Sequence, residues 1–151
     1  MICFDTSVLV DYLRGEEYVE NLLDTTNGEV GVPRLARYEL YVGAERSDNP
    51  TETPSSVADV IAWTKTLGFT DDVARDAAAI RATLLDVGDV IGVADTVIAG
   101  TAREANATLV AADDHFERVP DLSVRLIERN SRATMNLEEP LLTGDPEALT
   151  R

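Results

Sequence analysis

Four acids stand where apolar segments give way to polar ones: Asp5, Glu39, Asp95 and Asp113. Asp5 follows Ile2-Cys3-Phe4, and Asp113 follows Thr108-Leu109-Val110-Ala111-Ala112. Asp95 opens the apolar run from Thr96 to Ala102, and Glu39 lies inside a helical stretch from Arg34 to Ala44. An acid that interrupts a core segment is desolvated, and something must offset that cost. Clustered carboxylates also repel one another, so without a cation some would hold protons. A shared divalent ion answers both problems. Mg²⁺ or Mn²⁺ suits hard oxygen donors and needs only one or two protein carboxylates. A pair of such ions about 3.5–4 Å apart can activate water and stabilise the leaving oxygen of a phosphodiester. Zinc fits less well, because one His and one Cys do not supply its usual nitrogen and sulfur ligands.

Each acid alone also has a structural explanation. Asp5 and Asp95 suit helix N-caps, Glu39 suits a solvated helix face, and Asp113 and Asp114 suit a turn. His115 reads as structural or surface-exposed, and Trp63 as packing. The functional reading rests on the set. Other chemistries lack parts. A phosphatase using Asp5 as nucleophile wants a second Asp two residues on, where Ser7 stands, and Lys65 is the only lysine available to it. The glycine loop of a dinucleotide site, Gly-x-Gly-x-x-Gly, is missing.

The elements that must position these acids alternate between strand and helix. Strands are expected at 2–5, 29–32, 108–112 and 123–127, with a brief one at 68–70. Helices are expected at 7–14, 16–25, from Pro33 to about 46, 55–67, 71–87 and 95–106. Thr6 or Ser7 can cap the first helix and Gly15 can end it. This order predicts an α/β chain with a short parallel sheet covered by helices. Ligands of such sheets bind beyond the carboxyl ends of the strands, where Asp5 and Asp113 stand. Asp95 falls at a helix N-terminus, whose dipole favours an anion.

A length of 151 residues with 44% apolar content is one domain with a substantial core. We expect it to span residues 1–129, followed by a loosely patterned tail at 130–151. No apolar run approaches the roughly 20 residues that span a bilayer, so no membrane partner is expected. The start has no secretory pattern and Cys3 can form no internal disulfide, which points to the cytoplasm. The net charge is −15, from 28 acids against 13 bases. High acid content with one lysine resembles the proteins of salt-loving microbes. It also argues against general attraction to phosphate backbones. It leaves open a nucleic acid held by metal ions and a few arginines. Arg34 and Arg37 are suited to phosphate contact, though structural ion pairs are the slightly preferred reading.

The acids also have a recognisable order. Asp5-Thr6-Ser7 after the first strand, then Tyr38-Glu39-Leu40-Tyr41-Val42-Gly43-Ala44, resembles the opening half of PIN-domain ribonucleases. The segment from Gly88 to Ala99, with its Gly-x-x-Ile-Gly-x-x-Asp spacing, resembles the family's third acidic motif. Leu109 to Phe116 resembles the fourth. The likeness spans about residues 2–127, and small single-domain chains of this pattern are most similar to VapC-type toxins of type II toxin–antitoxin pairs. The resemblance implies a three-layer α/β/α sandwich and metal-dependent cleavage of RNA, with Mg²⁺, or Mn²⁺, as cofactor. Asp5 and Asp95 would be the central ligands, and Glu39 and Asp113 would hold a second ion or position water. Thr6 or Ser7 would orient Asp5 by hydrogen bonding. It further implies a homodimer and an antitoxin peptide that blocks the cleft, with helices around 16–26 and 55–67 as candidates for its groove. Two features depart from the pattern. Ala111 stands where relatives often carry Thr or Ser, and Asp114 is an alternative to Asp113 as ligand. The competing function is a non-catalytic PIN-like protein-interaction module, its acids acting as caps and solubilising charges.

Self-repulsion of an acidic surface is screened over about 3 Å at 1 M salt and over about 10 Å at 0.1 M. The thermal midpoint should therefore rise by several degrees between 0.1 and 1 M KCl, measured by circular dichroism. A flat or falling midpoint contradicts the halophile-like reading of the surface.

Overall fold

The computed structural model describes residues 1–128; the expected tail at 130–151 lies outside them. Five strands form one parallel sheet: β1 (Ile2–Phe4), β2 (Val30–Pro33), β3 (Lys65–Leu67), β4 (Thr108–Ala111) and β5 (Val124–Leu126). Their order across the sheet is β3-β2-β1-β4-β5. Six helices flank it as an α/β/α sandwich: α1 (Thr6–Leu13), α2 (Glu17–Asp24), α3 (Arg34–Glu45), α4 (Pro54–Val60), α5 (Asp71–Asp86) and α6 (Val93–Glu104). A short 3-10 turn, Asp114–Arg118, joins β4 to β5. No helix among the described residues is long and apolar enough to cross a membrane.

The central strands read as continuous apolar runs because helices cover them. Cys3, Phe4, Val32, Leu109, Val110 and Ala111 are fully buried, and Leu9, Leu13, Leu40, Ile80, Ile98 and Phe116 pack into the same core. The chain winds from β1 outward to β2 and β3, then returns to place β4 on the other side of β1. The strand order therefore reverses between β1 and β4, and in open parallel sheets such a reversal places a crevice at the carboxyl ends of the strands. The register pairs Phe4 with Val110, and the Asp5 amide donates to the Val110 carbonyl at 3.1 Å. Asp5 is thereby held on the ladder at the edge of that crevice.

Three expectations about elements need correction. The helix expected over 55–67 ends at Val60, and Lys65–Leu67 is a strand paired with Gly31–Pro33 of β2. The brief strand expected at 68–70 therefore lies three residues earlier. Val57 and Ile61 do face the core, but Thr64 and Leu67 extended their helical spacing by coincidence. Pairing with β2 overrides local propensity there. The cap of α1 is Asp5, not Thr6 or Ser7: its carboxylate accepts from the Thr6 amide at 2.7 Å.

Turns at the helix ends follow local chemistry. Gly15 and Gly88, at φ 76° and 69°, end α1 and α5 in the left-handed region that glycine enters without a Cβ clash. Helices α5 and α6 meet at Gly100, where an added Cβ would lie 3.0 Å from both the backbone nitrogen and the Cβ of Ala77. A salt bridge closes the same interface: Arg103 Nη2 lies 2.6 Å from Asp76 Oδ1, while Arg103 Nη1 donates to the Pro120 carbonyl at 2.8 Å.

Because backbone rather than a flexible side chain meets Gly100, Gly100→Val should separate α5 from α6 and cost about 1–3 kcal/mol. Urea denaturation measures this. A midpoint equal to wild type would show that the close approach is dispensable.

Candidate functional site

Asp5 leaves the end of β1 with its side chain turned into the crevice and only 6% of the residue exposed. Two local donors hold it: the Thr6 amide on Oδ1 at 2.7 Å and the Ser7 hydroxyl on Oδ2 at 3.0 Å. Thr6 also reaches across to α3, where its hydroxyl donates to Glu39 Oε1 at 2.7 Å. One Thr-Ser pair thus orients two acids that are far apart in sequence.

Asp95 comes from the first turn of α6. The loop before it is fastened on three sides. Ile91 is buried, Arg81 Nη1 donates to the Ile91 carbonyl at 3.2 Å, and Arg118 Nη1 pairs with Asp89 Oδ1 at 3.2 Å. The Thr96 hydroxyl donates to the Gly92 carbonyl at 2.8 Å. A Cβ on Gly92 would lie 3.8 Å from Asp95 Oδ2, an ordinary contact. In the spacing Gly-x-x-Ile-Gly-x-x-Asp, Gly88 makes the turn and Ile91 the buried anchor ahead of Asp95.

Asp113 follows β4 and caps the 3-10 turn by accepting from the His115 amide at 3.0 Å. It is more exposed than the other three acids. His115, which we expected to be structural or surface-exposed, stands inside the site. Its Nδ1 lies 2.8 Å from Asp113 Oδ2 and its Nε2 lies 3.1 Å from Asp95 Oδ2. The signal for it in the sequence was Asp-x-His directly after an apolar strand, which a lone histidine did not make conspicuous. Asp114, the alternative to Asp113, is exposed and is not joined to this network. Arg37 also departs from expectation. It donates to the Tyr41 hydroxyl and the Thr64 hydroxyl, each at 3.4 Å, and neither it nor the exposed Arg34 makes an ion pair among the described residues.

The electrostatics are those of an acid cluster without a counter-ion. Burial pushes the Asp5 carboxyl from its ordinary 3.8 up to about 6, and the charges of Asp95 and Glu39 add to the rise against the two hydrogen bonds. Burial also raises Glu39, with Asp95 contributing. Asp95 is raised by burial; His115 opposes the rise and Asp113 adds to it. Three carboxyls raised by burial and by neighbouring acids suit a divalent cation, whose charge would favour their ionised forms. Among the described residues no three His, Cys, Asp or Glu side chains are grouped closely enough to hold a metal ion by themselves. Mg²⁺ is commonly held by one or two carboxylates with several waters.

The sign of the pH effect follows. Between about pH 4 and pH 6 the folded chain keeps a proton on Asp5 that the unfolded chain releases, so stability falls as pH rises through that window. Above it the cost of the ionised form is about 3 kcal/mol. Asp95 and Glu39 act in the same direction. In metal-free protein, Asp5→Asn keeps a capping side chain and should be the more stable variant at pH 7.5, with the difference closing near pH 4. Paired urea titrations at the two pH values read this, and a less stable variant at pH 7.5 would refute the assignment.

Comparison with known proteins bears on the family and the fold. The model of the PIN domain family matches residues 2–122. Among solved structures, VapBC2 from Rickettsia felis bound to a promoter DNA fragment superposes with a TM-score of 0.78 at 23% identity, covering 85% of this chain and 100% of that chain. DNA-bound VapBC from Salmonella typhimurium gives 0.75 at 24% identity, covering 83% and 98%. FitAcB from Neisseria gonorrhoeae gives 0.72 at 27% identity, covering 82% and 96%. No curated protein matches the sequence. The matched segment begins with β1 and runs past the 3-10 turn, taking in all four acids, and the chain belongs to the PIN domain family.

Proposed function

We propose that this chain is a metal-dependent endoribonuclease and the VapC-type toxin of a toxin–antitoxin pair. The observation that carries the reading is the meeting of Asp5, Glu39 and Asp95 at the strand-order reversal, each carboxyl raised by burial and by its neighbours. Asp5 and Asp95 would be the principal ligands. Glu39 and Asp113 would complete the set, and Thr6 and Ser7 keep the Asp5 and Glu39 oxygens turned toward the crevice. Bound Mg²⁺ or Mn²⁺ would supply charge neutralisation and an acidified water for attack on a phosphodiester.

The chain's own residues then set the conditions for substrate. The crevice is acidic, so the backbone of RNA could enter only after the acids are neutralised. Arg34 is exposed on the helix that carries Glu39 and has no ion-pair partner among the described residues, which leaves its guanidinium available to a phosphate. Partner binding is supported by a second surface. A cavity of about 200 Å³ is lined by Leu23, Thr26, Gly28, Val30 and Trp63, between the two segments suited to an antitoxin peptide. Trp63 is half exposed there, its ring edge-on to Tyr12 at 5.9 Å. The structural neighbours include complexes named VapBC and FitAcB, in keeping with a two-component assembly. A cytoplasmic homodimer, inhibited by its antitoxin, completes the proposal.

Cleavage of cellular RNA at high salt, with and without Mn²⁺, tests it. Wild type should cut only with metal. Asp5→Asn and Asp95→Asn should each lose activity by at least about 100-fold while keeping the circular dichroism spectrum of the wild type. Full cleavage by either variant, or undiminished cleavage after chelation, sinks the reading and favours a binding module.

A further inference from the structure

His115 is the sole histidine of the chain, and its two ring nitrogens meet two different acids. Nδ1 lies 2.8 Å from Asp113 Oδ2. A carboxylate only accepts, so Nδ1 donates to Asp113 and Nε2 is the nitrogen left for another partner. Nε2 is buried and has no hydrogen-bond partner, although Asp95 Oδ2 is only 3.1 Å away. Either a proton or a metal ion can lie against both atoms, and a metal that binds there displaces the proton. Ligand bonds of about 2.0–2.2 Å set at right angles place adjacent donor atoms about 3 Å apart, which is the separation observed.

The ring is also held in place. Phe116, fully buried, anchors the 3-10 turn, and its ring lies 4.4 Å from that of His115. The backbone amide of His115 is bound by Asp113 Oδ1 at 3.0 Å, while the other Asp113 oxygen faces Nδ1. One carboxylate therefore fixes both the turn and the orientation of the ring. A carboxylate that orients an imidazole whose far nitrogen faces a metal position is a recurrent way of tuning a ligand histidine.

We propose that His115 Nε2 is a metal ligand beside Asp95, and that Asp113 orients the imidazole rather than binding the ion itself. The inference rests on the metal-nuclease reading of the same site and changes its donor set from four carboxylates to three carboxylates and one nitrogen. A nitrogen donor lowers the relative standing of Mg²⁺, which takes oxygen, and favours the transition ions in the order Mn²⁺ below Co²⁺.

Pulsed electron paramagnetic resonance of tag-free protein loaded with Mn²⁺ tests this without any activity measurement. With one histidine in the chain, an imidazole ¹⁴N coupling can come from nowhere else. Wild type should show it. His115→Gln should lose it and bind Mn²⁺ roughly ten- to a hundredfold more weakly, with little change for Mg²⁺. Asp113→Asn should keep the coupling. Mn²⁺ bound in an Asp5-dependent manner without nitrogen coupling overturns the inference and leaves the nuclease reading standing. Binding of Mn²⁺ by Asp113→Asn as weak as by Asp95→Asn, with the coupling intact, reverses the assignment of Asp113. No Mn²⁺ binding by wild type overturns both readings.

Discussion

The cost of holding Asp5 out of water organises this molecule. Its carboxylate is nearly buried at the end of the central strand, with Glu39 and Asp95 near enough to raise its affinity for a proton. Two hydrogen bonds and a place at the head of α1 offset part of that cost but not all of it. A fold selected for stability alone would place an apolar or neutral residue there. Three carboxyls raised by burial and by neighbouring acids are the kind of local conflict that marks a working site.

The rest of the structure keeps those groups from relaxing apart. Strands β1 and β4 are locked in register, so Asp5 and the segment leading to Asp113 share one edge. The loop carrying Asp95 is clamped by Arg81, Arg118 and the buried Ile91. Phe116 pins the turn that presents His115. Each acid therefore arrives on a rigid support from a different element, and repulsion among them cannot be relieved by swinging a free loop away. The structural explanations of single residues and the functional explanation of the set coexist: Asp5 is both the cap of α1 and the centre of the cluster.

The acidic exterior sets a second condition. A chain with net charge −15 does not attract a phosphate backbone at long range. Under the proposed function, affinity for a nucleic acid would have to come from short-range contacts within the crevice and from a few cations such as Arg34. This separates the present chain from basic nucleic-acid-binding domains, in which surface charge supplies most of the affinity.

Much of this was legible in the order of residues. Alternating apolar strands and amphipathic helices announced a parallel sheet with covered faces, and the placement of Asp5 and Asp113 after strands, Asp95 at a helix start and Glu39 within a helix made a shared cleft the expectation. Local signals failed where long-range pairing decided. Residues 65–67 look like the end of a helix, yet β2 offers them a ladder and they extend. Arg37 looked suited to an ion pair and instead meets two hydroxyls, because α3 turns it toward Thr64. His115 was unremarkable in sequence, since its importance comes from facing Asp95, twenty residues earlier in the chain and on another element.

The sequence by itself determined the residue types, their periodicity and their caps, because these depend on interactions over a few neighbouring positions. Only the tertiary structure decided which acids share a crevice, how far each carboxyl is raised and which nitrogen of His115 faces Asp95. Those properties depend on distances between elements and on the exclusion of water, and both arise only when the sheet closes and the helices cover it.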